Sequence, residues 1–254
     1  MIPVQRLPLP PRTQGLLNRW SAKVPVNGGD TATARSLWRA AKAPKKHLQG
    51  VLGHMTRGAR RCMHCDDNMG TDIDHFEPAD IAPLRAFDWL NHLLACSHCN
   101  SNQKRDQHPC DALGNCLLVD PSVGDPADDL VLLLASGEYD PVTTKGVETI
   151  RVFGLNRVEL VQGRQAAFAR ARSNLRDWHQ QLKDGDHAEA DRIAQALVDS
   201  PFAVVVHAME RLAPISRTSC IGGQGRSSSR GMDPGVSHLV SDPQQHLADW
   251  PSAS

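Results

Sequence analysis

No apolar run in this chain approaches the roughly 20 residues a helix needs to cross a bilayer, so a membrane-spanning protein is not expected. The opening stretch MIPVQRLPLPPRTQGLL lacks a continuous apolar core and is interrupted by Pro8, Pro10 and Pro11, which is not the make-up of a secretory signal. One Tyr, five Phe and five Trp are too few to predict an aromatic-rich surface for stacking bases. No G-x-x-x-x-G-K-[ST] loop occurs, so any nucleotide dependence has to come from a partner. Acid is missing locally: between Thr31 and Cys65 there is no Asp or Glu, only Arg35, Arg39, Lys42, Lys45, Lys46, Arg57, Arg60 and Arg61.

The sign then reverses. Asp66, Asp67, Asp72, Asp74, Glu77, Asp80 and Asp88 follow within one short stretch, although the formal net charge of the whole chain is zero. A basic surface beside an acidic pocket suits a polyanion held next to a metal; a solvated helix followed by an acidic loop is the plainer alternative. Of the seven cysteines, four form two C-x-x-C pairs, and the odd total argues against a disulfide framework. Metal-bound thiolates in a reducing cytoplasm are the expectation. Cys110, Cys116 and Cys220 have no comparable spacing and read as ordinary thiols.

Along the chain, residues 1–30 read as an irregular Pro-rich arm and 31–61 as a basic helical lead-in. In the lead-in, Thr31 or Thr33 caps and Pro44 divides two helices. Residues 62–109 form the chemical module. Residues 110–148 are turn-rich, with Leu130 to Leu134 a short strand or buried turn. Residues 149–214 are helical: Val161, Phe168, Ala171, Leu175, Trp178 and Leu182 recur at helical spacing, with Arg164, Arg170, Arg172 and Arg176 on other faces. Two shorter helices, 188–198 and 202–212, follow. The Gly- and Ser-rich segment 215–254 reads as a disordered tail.

Cys62–Cys65 and Cys96–Cys99 are separated by 30 residues, Asp66 through Ala95. Each pair places two thiolates on one tight turn, and together they complete a tetrahedral four-thiolate site. Such a set leaves no open coordination position, which points to a structural Zn²⁺, a redox-active C-x-x-C pair or coincidental free thiols being the alternatives. His64 and His98, inside the knuckles, read as exposed bystanders. Between the knuckles, Asp72 to Phe76 alternates as a short strand does. Trp89 to Ala95 leads back into the second knuckle, and Asn100 to Arg105 opens a helix. Lys104 and Arg105, with Arg60 and Arg61, are candidate phosphate contacts, an ordinary solvated helix face being the alternative for the first two.

D-H-F-x-P followed by W-x-N-x-L-L-x-C-x-x-C-N-x-x-x-K resembles the zinc-stapled form of the HNH, or ββα-metal, nuclease motif. Across residues 1–210 the chain also resembles the HNH proteins of Septu-type and retron-linked bacterial anti-phage systems. That likeness is carried by the Pro-rich arm, RCMHC, L-V-D-P (Leu118 to Pro121), Gly137 and T-I-x-x-F-G-L-N-R (Thr149 to Arg157). The resemblance implies an α+β fold with a small ββα-metal core in a mostly helical chain. It implies His75 as the base that activates water, Asp74 and Asn100 as ligands of a catalytic Mg²⁺ or Mn²⁺, and Asn91 as the amide that pins the loop behind His75. It further implies a cytoplasmic endonuclease acting on DNA with an ATPase partner of the SMC-like or ABC-like type. Asn100 departs from the His that many members carry there. This keeps a second reading open, a catalytically decayed zinc module that only binds nucleic acid.

Overall fold

Prolines begin the first helix rather than excluding it. Helix α1 (Pro11–Ser21) has Pro11 at its first position, where the missing N–H would have had no intrahelical partner and φ is already helical. With α2 (Lys23–Val26) this corrects the irregular arm expected over residues 1–30. Helix α3 (Thr31–Ala40) is capped by Asp30, whose Oδ1 accepts Thr33 N–H at 2.7 Å, and not by either threonine. The chain breaks at Ala41. Pro44 lies in the first turn of α4 (Lys42–Met55), just past the division it was expected to make.

The computed structural model describes residues 1–56, 58 and 60–212, so the tail expected over 215–254 and Cys220 lie outside it. The fold mixes helix with two small antiparallel sheets. Strands β1 (Asp72–His75) and β2 (His92–Ala95) pair in the register Asp72↔Ala95, Ile73↔Leu94, Asp74↔Leu93 and His75↔His92. Strands β3 (Leu130–Leu133) and β4 (Glu138–Pro141) form a second hairpin. Of these two, only the β3 segment was anticipated.

Two cores meet at the first hairpin. On one side Leu17, Val24, Ala34, Leu48 and Leu52 of α1–α4 pack with Ile73, Phe87, Leu93 and Leu94. On the other, the four paired cysteines and Ala95 share a core with Leu118, Tyr139, Phe153, Leu155 and Leu160. The second core draws in the C-terminal helices: α5 (Thr144–Phe153), α6 (Val158–Asp184), α7 (His187–Asp199) and α8 (Val204–Leu212). The helical signal read as continuous from Thr149 is interrupted at Gly154, which takes the left-handed conformation (φ +56°) and closes α5.

Three separated sequence features lock this second core. Thr149, fully buried, accepts Val119 N–H at 2.8 Å. Asn156 accepts Tyr139 N–H and donates to Tyr139 O, both at 2.8 Å. Gly137 (φ +74°) lies so close to α6 that a Cβ would stand 2.6 Å from Val161 O. Arg164 was expected on a polar face, yet it is buried here. Its guanidinium donates to Gly137 O at 2.5 Å and Leu155 O at 2.7 Å and stacks on Tyr139.

Candidate metal centre and adjoining polar site

Local backbone geometry makes each knuckle. Cys62 N–H donates to Asn68 O and Asp66 N–H to Cys62 O, which folds the first turn back on itself. Met63 N–H donates to Leu94 O and so fastens the turn to β2. In the second knuckle Cys99 N–H points at Cys96 Sγ, 3.4 Å away. The four ligand atoms of Cys62, Cys65, Cys96 and Cys99 lie within 4.8 Å of one another, and all four residues are buried. Sulfurs about 2.3 Å from a tetrahedral zinc would be about 3.8 Å apart; Cys65 Sγ and Cys96 Sγ are 3.9 Å apart. Hydrogen bonds among the four thiols hold Cys65 and Cys96 below the usual thiol range, while burial pushes Cys62 up and the bonds to Cys65 and Cys96 push Cys99 up. The donor set, its span and its burial all fit a metal ion held for structure.

His64 is not an exposed bystander. It is fully buried, stacked on Phe153 with ring centroids 4.0 Å apart, and its Nε2–H donates to Asp74 Oδ2 at 3.0 Å. Asp74 Oδ1 accepts from Lys104 Nζ at 2.8 Å, and the same ammonium donates to His75 O at 2.5 Å. Lys104 is 0% exposed and Asp74 1%, so the lysine is no phosphate contact in this arrangement but the buried counter-ion of the aspartate. Burial alone would raise the Asp74 pKa. Lys104 and His64 outweigh it and leave the carboxyl well below the usual range.

Strand alternation sends Asp74 and His75 to opposite faces of the hairpin. His75, half-buried, lies edge-on to Trp38 at 4.4 Å and donates through Nε2–H to Ala86 O at 3.0 Å, which leaves Nδ1 as the lone-pair nitrogen. His92, its cross-strand neighbour, is fully buried, stacks on Trp38 at 5.1 Å and donates to the same carbonyl at 3.1 Å. Burial lowers the pKa of both rings. Asn91, also buried, ties the intervening loop together: its Oδ1 accepts Glu77 N–H, and its Nδ2 donates to Glu77 O and Arg85 O.

Asn100 caps this region from a wide helical turn, His98–Lys104, closed by Arg105 N–H to Asn100 O. Its Nδ2 donates to Asp72 Oδ2 at 3.2 Å, so its partner in β1 is Asp72 rather than Asp74. His98 is half-buried and receives a bond from Gln103. Arg61 braces the first knuckle by donating to Asp67 O and Asp199 O, and Arg60 donates to Gln49 O. Arg105 is exposed, as are Arg39, Lys42 and Lys46 on the basic helices. Sequence reasoning missed Arg6. Its guanidinium reaches His92 O at 2.6 Å, Leu90 O and Ser122, and rests over Trp89. Nothing local marks an arginine 86 residues from its acceptor.

The two depressed histidines set an acid limb. A histidine whose folded pKa lies below its unfolded value of about 6.5 favours folding fully above that value, and the benefit fades as pH falls. Urea stability should therefore fall between about pH 7 and pH 5, and fall less steeply in His92→Phe. Parallel pH profiles for the two chains would contradict the buried, uncharged His92. Among the described residues no helix is long and apolar enough to cross a membrane. Compared with known protein families, curated proteins and solved structures, the chain has no significant match.

Proposed function

We propose that the chain is an HNH-type endonuclease hydrolysing phosphodiester bonds of DNA, with a structural zinc at its four cysteines and His75 as the water-activating base. The supporting observation is the loop of residues 76–91. Asn91 ties its start, at Glu77, to its middle, at Arg85, while Ala86 O fixes the His75 ring at the close of β1, leaving an uncharged nitrogen to accept a proton. A low pKa keeps that nitrogen unprotonated near neutral pH. Asp74 and Asn100 do not fit the Mg²⁺ or Mn²⁺ site expected of them: both carboxylate oxygens of Asp74 are taken, and the Asn100 amide is turned to Asp72. No step is therefore assigned to such an ion. The wider role we propose, a nuclease of anti-phage defence working with an ATPase partner, rests on the sequence resemblance alone, and its cytoplasmic setting on the cysteine pattern.

A plasmid-nicking assay with Mg²⁺, with Mn²⁺ and with chelator tests the chemistry. His75→Ala should lower nicking by about 10²–10⁴-fold, the usual contribution of a positioned general base. Equal activity in the two proteins would sink the assignment. The closed state of Asp74 favours one other reading, a zinc module that binds nucleic acid without cutting it. That reading predicts binding by wild type and no cleavage with either metal.

A further inference from the structure

Just beyond the polar site the chain carries two thiols that the nuclease reading leaves without a role. Residues 109–117 fold back on themselves: Leu117 N–H donates to Pro109 O at 2.8 Å and Asp111 N–H to Asn115 O at 2.9 Å. These bonds flank Cys110 and Cys116, which face each other as an antiparallel pair. A pair flanked by ladder bonds rather than joined by them is the closer kind, with Cα atoms about 4.5 Å apart and side chains on one face. A disulfide spans Cα separations of about 4.4–6.8 Å. Both thiols are free, Cys110 exposed and Cys116 half-buried. Among the described residues their sulfurs bond only to neighbouring backbone and to His108: Cys110 Sγ donates to His108 O at 3.5 Å, while Cys116 Sγ accepts Leu118 N–H at 3.3 Å and donates to Leu118 O at 3.9 Å.

The turn is held by groups other than sulfur. Asp111 accepts the N–H groups of Leu113 and Asn115 and the side-chain amide of Asn115, so the two strands of the turn are already together. Joining pre-positioned thiols gains from a high effective concentration and loses little chain entropy. We propose that Cys110 and Cys116 form a reversible intramolecular disulfide, a modification site separate from the four-cysteine metal centre. The oxidant class is a low-molecular-weight disulfide such as oxidised glutathione. The exposed Cys110 thiolate attacks one glutathione sulfur, forming a mixed disulfide and expelling one glutathione thiolate. Cys116 Sγ, having lost its proton, attacks the Cys110 sulfur, closing the bridge and expelling the second glutathione. Two protein thiols are oxidised as one glutathione disulfide is reduced to two thiols. The bridge would close beside the polar site: His108 Nδ1, 3.8 Å from Cys116 Sγ, donates to the carbonyl of Phe76, the residue after His75.

The test is to equilibrate the zinc-loaded full chain in graded glutathione redox buffers, block free thiols with iodoacetamide and map unreduced peptides by mass spectrometry. The expected result is a Cys110–Cys116 crosslink that forms as the buffer becomes oxidising and opens with dithiothreitol, with zinc content unchanged. In Cys116→Ser, which lacks the resolving thiol, glutathione should instead stay on Cys110. Stable glutathione on Cys110 of the wild type would overturn the proposal. So would alkylation of Cys110 that persists at every ratio, or a bridge to Cys220 or to a metal-centre cysteine. None of these readouts depends on nuclease activity.

Discussion

Replacing Cys99 with serine should strip the metal from the chain and unfold the module it holds. Four buried sulfurs within 4.8 Å of one another form a complete site for zinc, and the two knuckles have no other covalent tie. Structural zinc sites in small modules bind with apparent free energies of about 10–16 kcal/mol near neutral pH. That is as large as the whole stability of a typical domain, about 5–15 kcal/mol. Without the ion, burial leaves adjacent thiols and thiolates with no compensating cation, in a knuckle fastened to β2 by Met63 N–H to Leu94 O. Metal analysis should give about one zinc per wild-type chain and none in Cys99→Ser. The variant should also lose its cooperative thermal transition. A chain that keeps the wild-type melting temperature after the metal is removed would show that the cysteines do not hold the fold.

Lys104→Met should destabilise the chain by about 3–5 kcal/mol, the usual cost of removing one partner from a buried ion pair. The methionine fills most of the space but leaves the Asp74 carboxylate with only the His64 bond and takes the donor from His75 O. Asp74→Asn in the same chain removes the orphaned charge, so the double variant should recover part of the loss. Urea unfolding of the zinc-loaded proteins measures both. Additive losses would mean that the pair is not coupled. The pH dependence has a definite sign: because the folded carboxyl titrates below its unfolded value of about 3.9, the pair's contribution is complete above that pH and is lost as pH falls through the folded value.

The contrast between Cys96 and Lys104 explains how much of the site could be read from the chain alone. C-x-x-C spacing is a local geometric statement. Two thiolates on one turn are bound to converge, so the four metal-centre residues were legible. So were the β1 segment around Ile73 and the helix starts near residues 31 and 187. Lys104 carried no such mark. An exposed lysine and a buried one look identical in sequence, and which one it is depends on whether an acid from 30 residues away is desolvated beside it. The same holds for His64 and Arg164. His64 was read as exposed and Arg164 as lying off the apolar face of its helix, and both lie in the interior because tertiary packing supplies their acceptors. Cys110 and Cys116 likewise became a pair only when the turn between them closed.

Sequence by itself determined the elements whose physics is short-range: paired thiols with metal-ligand spacing, a strand ended by proline, amphipathic helices, and the absence of any membrane-length apolar run. The tertiary structure alone decided which polar groups are desolvated together. It put Lys104 and His64 on the two oxygens of Asp74, turned Asn100 toward Asp72, and hung two histidines on one carbonyl. Such pairings reflect the balance between the cost of removing a charge from water and the gain from meeting a partner. That balance is set only when distant segments of the chain come into contact.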